Sequence, residues 1–142
     1  MLKNLILLLT CSITLAHAEW IDVDRDDEFI VYADPNRITE TNSTLHYVDS
    51  WFKYVVHTDK HKDGLSIGDH RLVKYRFKCD DSEIGLLALY DYHRTNLINA
   101  YTEKYVEFDP VIPESRGERL INIVCHYLYN NSDDNPSASA EL

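Results

Sequence analysis

Hydrophobic and polar residues alternate with period two along much of this chain, the pattern of half-buried strands. The clearest stretch is 71–79. There Arg71, Val73, Tyr75, Phe77 and Cys79 oppose Leu72, Lys74, Arg76 and Lys78, so one face is apolar and the other basic. Segment 45–57 is rich in aromatic and β-branched residues (Tyr47, Val48, Trp51, Phe52, Tyr54, Val55, Val56) and predicts a long strand. Short strands are predicted at 20–23 and 29–33, around an acidic turn at 24–28. Asp34-Pro35-Asn36 then signals a turn. Residues 60–68 read as a polar loop with two glycines. Segment 84–93 predicts a more apolar, central strand, and 100–108 predicts the last one.

The period changes after Asp109-Pro110 and Pro113. Ser115 and Glu118 fit a capping box, in which the serine bonds the N3 amide and the glutamate reaches back. Leu120, Ile123, Val124 and Tyr127 then recur at helical spacing, with Cys125 on the adjoining row beside Ile121 and Leu128. The expected fold is a single α+β domain, an antiparallel sheet of about six strands with one C-terminal helix packed on it. Its bounds are 19–129. Residues 130–142 are polar and predict a disordered tail.

The N-terminus changes the picture. Lys3 precedes an apolar run from Leu5 to Leu15, and Ala16-His17-Ala18 places small residues at the −3 and −1 positions. This predicts a signal peptide over 1–18, cleaved before Glu19. A spanning helix needs about 20 apolar residues, so no transmembrane segment is expected. Cys11 offers a rival lipidation site, but Thr10 stands where acylation prefers a smaller residue. Cleavage turns 142 residues and a net charge of −10 into 124 residues and −11, because Lys3 leaves. It also leaves two cysteines, Cys79 and Cys125. An even pair in an exported protein reads as a disulfide, here joining the helix to the 71–79 strand. In the chain-entropy account so long a closed loop stabilises by about 4–5 kcal/mol.

The acidic balance argues against nucleic-acid binding and against adhesion to anionic membranes. It is uneven, however. Segment 53–78 carries seven basic and three acidic residues, a local +4 against −15 for the rest of the mature chain. Lys53, Lys74, Arg76 and Lys78 form the candidate partner-binding patch, suited to an acidic protein segment or an acidic glycan. The plain alternative is a solvated outer face that discourages edge pairing.

Candidate chemistry is sparse. Asp22-Val23-Asp24-Arg25-Asp26 opens like a calcium loop, but Asp27 and Ala33 stand where glycine and glutamate are needed. A solvated acidic turn is the expected reading. His57, His61 and His70 carry a weak case for a metal or small-molecule carrier. No phosphate-cradling loop, nucleophile elbow or zincin motif occurs. The expectation is a protein without catalytic residues, metal or cofactor.

One resemblance adds to this. Glu19-Trp20-Ile21 directly after the leader, then Phe29-Ile30-Val31-Tyr32-Ala33-Asp34-Pro35 with Arg37-Ile38, resembles the surface-adhesin protein E family of Gram-negative bacteria. Val48-Asp49-Ser50-Trp51, Tyr75-Arg76-Phe77-Lys78-Cys79, Pro110-Val111-Ile112-Pro113 and Ile123-Val124-Cys125 carry it through to about residue 127. The resemblance implies an antiparallel sheet with a C-terminal helix clamped by Cys79–Cys125. It also implies export to the periplasm or cell surface, and an adhesin that binds host extracellular matrix proteins. The rival from the residues is a periplasmic interaction module, an inhibitor or envelope factor, acting on a bacterial partner.

Overall fold

The computed structural model describes residues 19–129. The predicted leader (1–18) and tail (130–142) lie outside the described residues. The described residues form one antiparallel sheet and one α-helix: β1 (Ile21–Arg25), β2 (Phe29–Ala33), β3 (Thr39–Asn42), β4 (Tyr47–Val56), β5 (His70–Lys78), β6 (Glu83–His93), β7 (Asn96–Thr102), β8 (Phe108–Pro110) and α1 (Arg116–Tyr129). The main path runs β1-β2-β4-β5-β6-β7, with β3 beside β4 and β8 beside β6.

The sheet therefore has eight strands rather than about six. Two differences account for it. The polar β3, Thr-Glu-Thr-Asn, is exposed throughout and carries no apolar signal; its partner β4 defines it. The predicted 100–108 strand is split. A tight turn after β6, with Arg94 at φ 55°, sends the chain straight back as β7. Residues 108–110 then form β8 against the start of β6. No glycine or proline marks the Arg94 turn, so the break after 93 reads as a longer loop than the tight turn that forms. Gly85 permits the β8 approach. A Cβ there would stand 2.5 Å from Val106 Cγ1 and 2.9 Å from the Glu107 carbonyl oxygen.

The even positions of β4 (Val48, Phe52, Tyr54) and Val73 and Phe77 of β5 face the helix. Val31 and Ala33 of β2 join them, covered by Leu120, Ile121 and Val124. The helix face is turned by about one residue from expectation. Ile121 is buried and Tyr127 is 41% exposed, because the inward row is the one carrying Cys125 and Leu128. The capping serine accepts from the Glu118 amide at 3.3 Å, as expected, but the Glu118 carboxylate accepts from the Glu114 amide instead of Ser115.

Two clamps hold α1 down. Cys79 and Cys125 form a disulfide across 46 residues of chain. At the other end, Arg116 and Arg119 both donate to Asp24, at 2.8 and 2.9 Å, and Arg116 also donates to Asp26. The acidic turn is thus not wholly solvated; Asp24 is 8% exposed. Two arginines near a helix N-terminus oppose its dipole by a few tenths of a kcal/mol each, which the aspartates offset. The Arg116 guanidinium also lies over the Tyr54 ring, 5.4 Å from its centroid.

Reduction of Cys79–Cys125 is expected to destabilise the domain by about 4 kcal/mol in the chain-entropy account, the helix loosening first. Thermal melting with and without reductant, followed by helical circular dichroism, measures this; an unchanged midpoint contradicts it. A second expectation concerns acid. Burial raises the Asp26 pKa, but the Phe29 and Glu28 amides and Arg116 outweigh it and bring it down to about 2. A depressed carboxylate contributes stability above its unfolded pKa and loses it as pH falls through the folded value. Stability should therefore fall between about pH 4 and pH 2. The fall should be shallower in Arg116→Ala, read from chemical denaturation at each pH.

Candidate functional site

The face of β4 and β5 turned away from the helix carries the predicted patch. Odd residues of β4 pair across to even residues of β5: Tyr47 with Lys78, Asp49 with Arg76, Trp51 with Lys74, and Lys53 with Leu72. Strand register therefore brings all four predicted cations onto one face. It does not leave them equivalent.

Arg76 grips Asp49 through two parallel bonds, Nε to Oδ1 at 2.7 Å and Nη2 to Oδ2 at 3.0 Å. Donation to the Asp49 carboxylate holds the guanidinium above its ordinary pKa. Lys74 Nζ approaches the same carboxylate at 3.4 Å. Lys78 donates to Glu83 at 2.6 Å, which raises its pKa, and lies 4.1 Å from the Phe108 ring centroid. Lys53 has no ion pair among the described residues; its ammonium sits 5.8 Å from the Trp20 ring centroid. The stripe is thus a set of cations held by carboxylates and rings, with Lys53 and Lys74 the least committed.

Sequence reasoning missed the aromatic half of this surface. Both tryptophans of the chain lie on it and neither joins the buried core. Trp51 stacks on Tyr90 of β6, centroids 6.0 Å apart and planes at 30°, with the Lys74 ammonium 5.9 Å from its ring. Trp20 carries Lys53 and also the Arg37 guanidinium, at 5.9 Å. Odd parity along β4 places Trp51 with Asp49 and Lys53, and that signal was available. The arrival of Trp20 was not, since it depends on β1 pairing with β2.

Beside Trp51 the surface dips into a cleft of about 300 Å³. Asn36 and Arg37 come from the 3-10 turn at Pro35–Arg37, Thr39 and Thr41 from β3, Asp49 and Trp51 from β4, and Lys74 from β5. Asp34, 1% exposed, anchors the turn: its Oδ1 accepts from the Asn36 amide and its Oδ2 pairs with Arg37 at 3.0 Å. Across Arg37, Lys53, Lys74 and Arg76 four cations face two carboxylates, Asp34 and Asp49, an excess of two positive charges in an acidic protein.

The histidines do not converge. The His57 ring bonds the Asp26 carbonyl oxygen at 2.9 Å, His61 bonds the buried Glu28, and His70 stacks on Tyr92. No cluster of three or more metal-ligating side chains occurs among the described residues.

The family model described as surface-adhesin protein E matches residues 20–126. The chain belongs to the surface-adhesin protein E family. No functionally curated protein matches it. A solved structure, crystal form II of Haemophilus influenzae protein E, is similar at a TM-score of 0.47 and 12% identity, over 72% of this chain and 91% of that one. Within the family match lie both disulfide cysteines and every residue lining the cleft. No described helix is long and apolar enough to cross a membrane.

Asp49 is the keystone of this face, and its removal should show it. Its side chain is 6% exposed and its partners about a third exposed, between the limits for surface and buried ion pairs. Asp49→Ala is therefore expected to cost about 2 kcal/mol and Asp49→Asn less. Urea denaturation of the two variants checks the order.

Proposed function

We propose that this chain is an exported, non-enzymatic binding protein of the adhesin type, and that it presents the outer face of β4 and β5 to a host matrix protein. Membership of the surface-adhesin protein E family supports the adhesin reading. The observation that carries the choice of face is the collection of both tryptophans and four cations on a surface that contributes nothing to the core. Aromatic residues and arginine are enriched where proteins meet partners. Ordered cation–aromatic pairs lose little side-chain entropy on binding, because their partners already hold them.

The leader favours a second reading. A plain cleavage site at Ala18, with Thr10 before Cys11, suits a periplasmic module acting on a bacterial partner. Protease shaving of intact cells separates the two: a surface adhesin is removed and a periplasmic protein is spared.

The role of the face is tested with Lys53→Glu combined with Lys74→Glu, the two cations whose reversal breaks no tight hydrogen bond. Binding to immobilised matrix proteins should weaken at least tenfold, about 1.4 kcal/mol, and its salt dependence should flatten. Unchanged binding by a folded double variant overturns the choice of face.

A further inference from the structure

We propose that the cleft beside Trp51 binds a pyranose ring bearing a carboxylate, one unit of an acidic glycan. This rests on the reading of the outer face as the binding surface and names what that face takes.

The chemistry of the lining carries it. Trp51 is half-buried at a cleft wall, with Tyr90 stacked on it. The Lys74 ammonium lies 5.9 Å from the same ring, so a flat apolar surface and a cation stand together at the cleft, which suits the polarised C–H face and the carboxylate of a sugar acid. Lys74 and Arg37 line the same cleft and supply positive charge for a carboxylate. Asp34 matches Arg37 one to one, but Asp49 is shared between Lys74 and Arg76, with the bidentate pair given to Arg76, which leaves one positive charge over. Asn36 and Thr39 add an amide and a hydroxyl, donors and acceptors matched to ring hydroxyls. The volume, about 300 Å³, is at the small end of ligand sites and fits a sugar unit rather than a large cofactor.

The rivals use less of the site. Inorganic phosphate would engage the cations and leave Trp51 idle. An apolar ligand would displace water from Lys74, Arg37 and Asn36 and give them no new polar contact in return. A nucleotide could stack and pair, and it therefore enters the test.

A sugar acid of this kind has two sources. Sialic and uronic acids cap or build host glycans, and ketodeoxyoctonate belongs to the bacterial envelope. The experiment is calorimetric titration of the full chain, supported by saturation-transfer NMR, with N-acetylneuraminate, glucuronate and ketodeoxyoctonate. The methyl esters of the three acids, neutral at the carboxyl, and AMP serve as comparisons. Saturable binding of at least one sugar acid, at least tenfold weaker for its neutral ester, is expected. Lys74→Gln should remove most of that preference, and Trp51→Ala should lower affinity for acid and ester alike. Both variants are first checked for an unaltered melt of the oxidised protein. Trp51→Phe, which keeps a flat ring, should restore part of the affinity.

Preference for the host acids supports the adhesin reading, and preference for ketodeoxyoctonate supports the periplasmic one; either supports the cleft. Equal binding of acid and ester, stronger binding of AMP, binding indifferent to both Trp51 and Lys74, or no binding of any sugar overturns it. Matrix binding measured on the same Trp51→Ala and Lys74→Gln proteins keeps the two claims apart. If sugar binding fails while matrix binding still depends on Lys53 and Lys74, only the cleft assignment falls.

Discussion

One helix can cover one face of a sheet. α1 gives the inner face of β2, β4 and β5 a dry core, and it leaves the outer face of the same strands in water. That outer face must be compatible with solvent and still hold the centre of the sheet in order. The solution is a row of ion pairs and cation–ring contacts in register across β4 and β5. Each contact is weak in isolation, since exposed pairs contribute about 0–1 kcal/mol. Asp49 is the exception, because it is itself shielded and holds two cations at once. The cleft exists because this row meets the short β3 and the turn anchored by Asp34.

Period and parity made most of the fold legible. The apolar face of 71–79 is the buried face of β5, and Cys79 closes onto the helix that the capping serine starts. What escaped was information held by partners. β3 is a strand because β4 offers it an edge, and its Thr-Glu-Thr-Asn sequence has no preference of its own to declare. β7 and β8 share one edge of β6, which no local window over 100–108 can reveal. The helix face came out one residue off because Ile123 and Tyr127 fit a helical stripe as well as Ile121 and Leu128 do. Only the sheet beneath decides between them.

The candidate site divides the same way. Parity along β5 brought Lys74, Arg76 and Lys78 together, as read from the sequence. Parity says nothing of what stands opposite, and there Asp49 and Glu83 cut the three cations of β5 to a net +1. The surface is better described by its tryptophans than by its charge. A tryptophan left outside the core forgoes one of the largest burial gains a side chain can make, and this chain does so with both it has.

The two clamps on α1 also set an order of events. The helix is the last described element, and its anchors reach back to β5 through Cys125 and to β1 through Arg116 and Arg119. A chain emerging N-terminus first, from a ribosome or a translocation pore, delivers every strand before anything can roof them. During that interval Val31, Phe52 and Phe77 form an open apolar floor, the kind of surface on which unfinished chains associate. A fold roofed last keeps that floor open until residues 116–129 arrive, and Cys79 meets its disulfide partner only then.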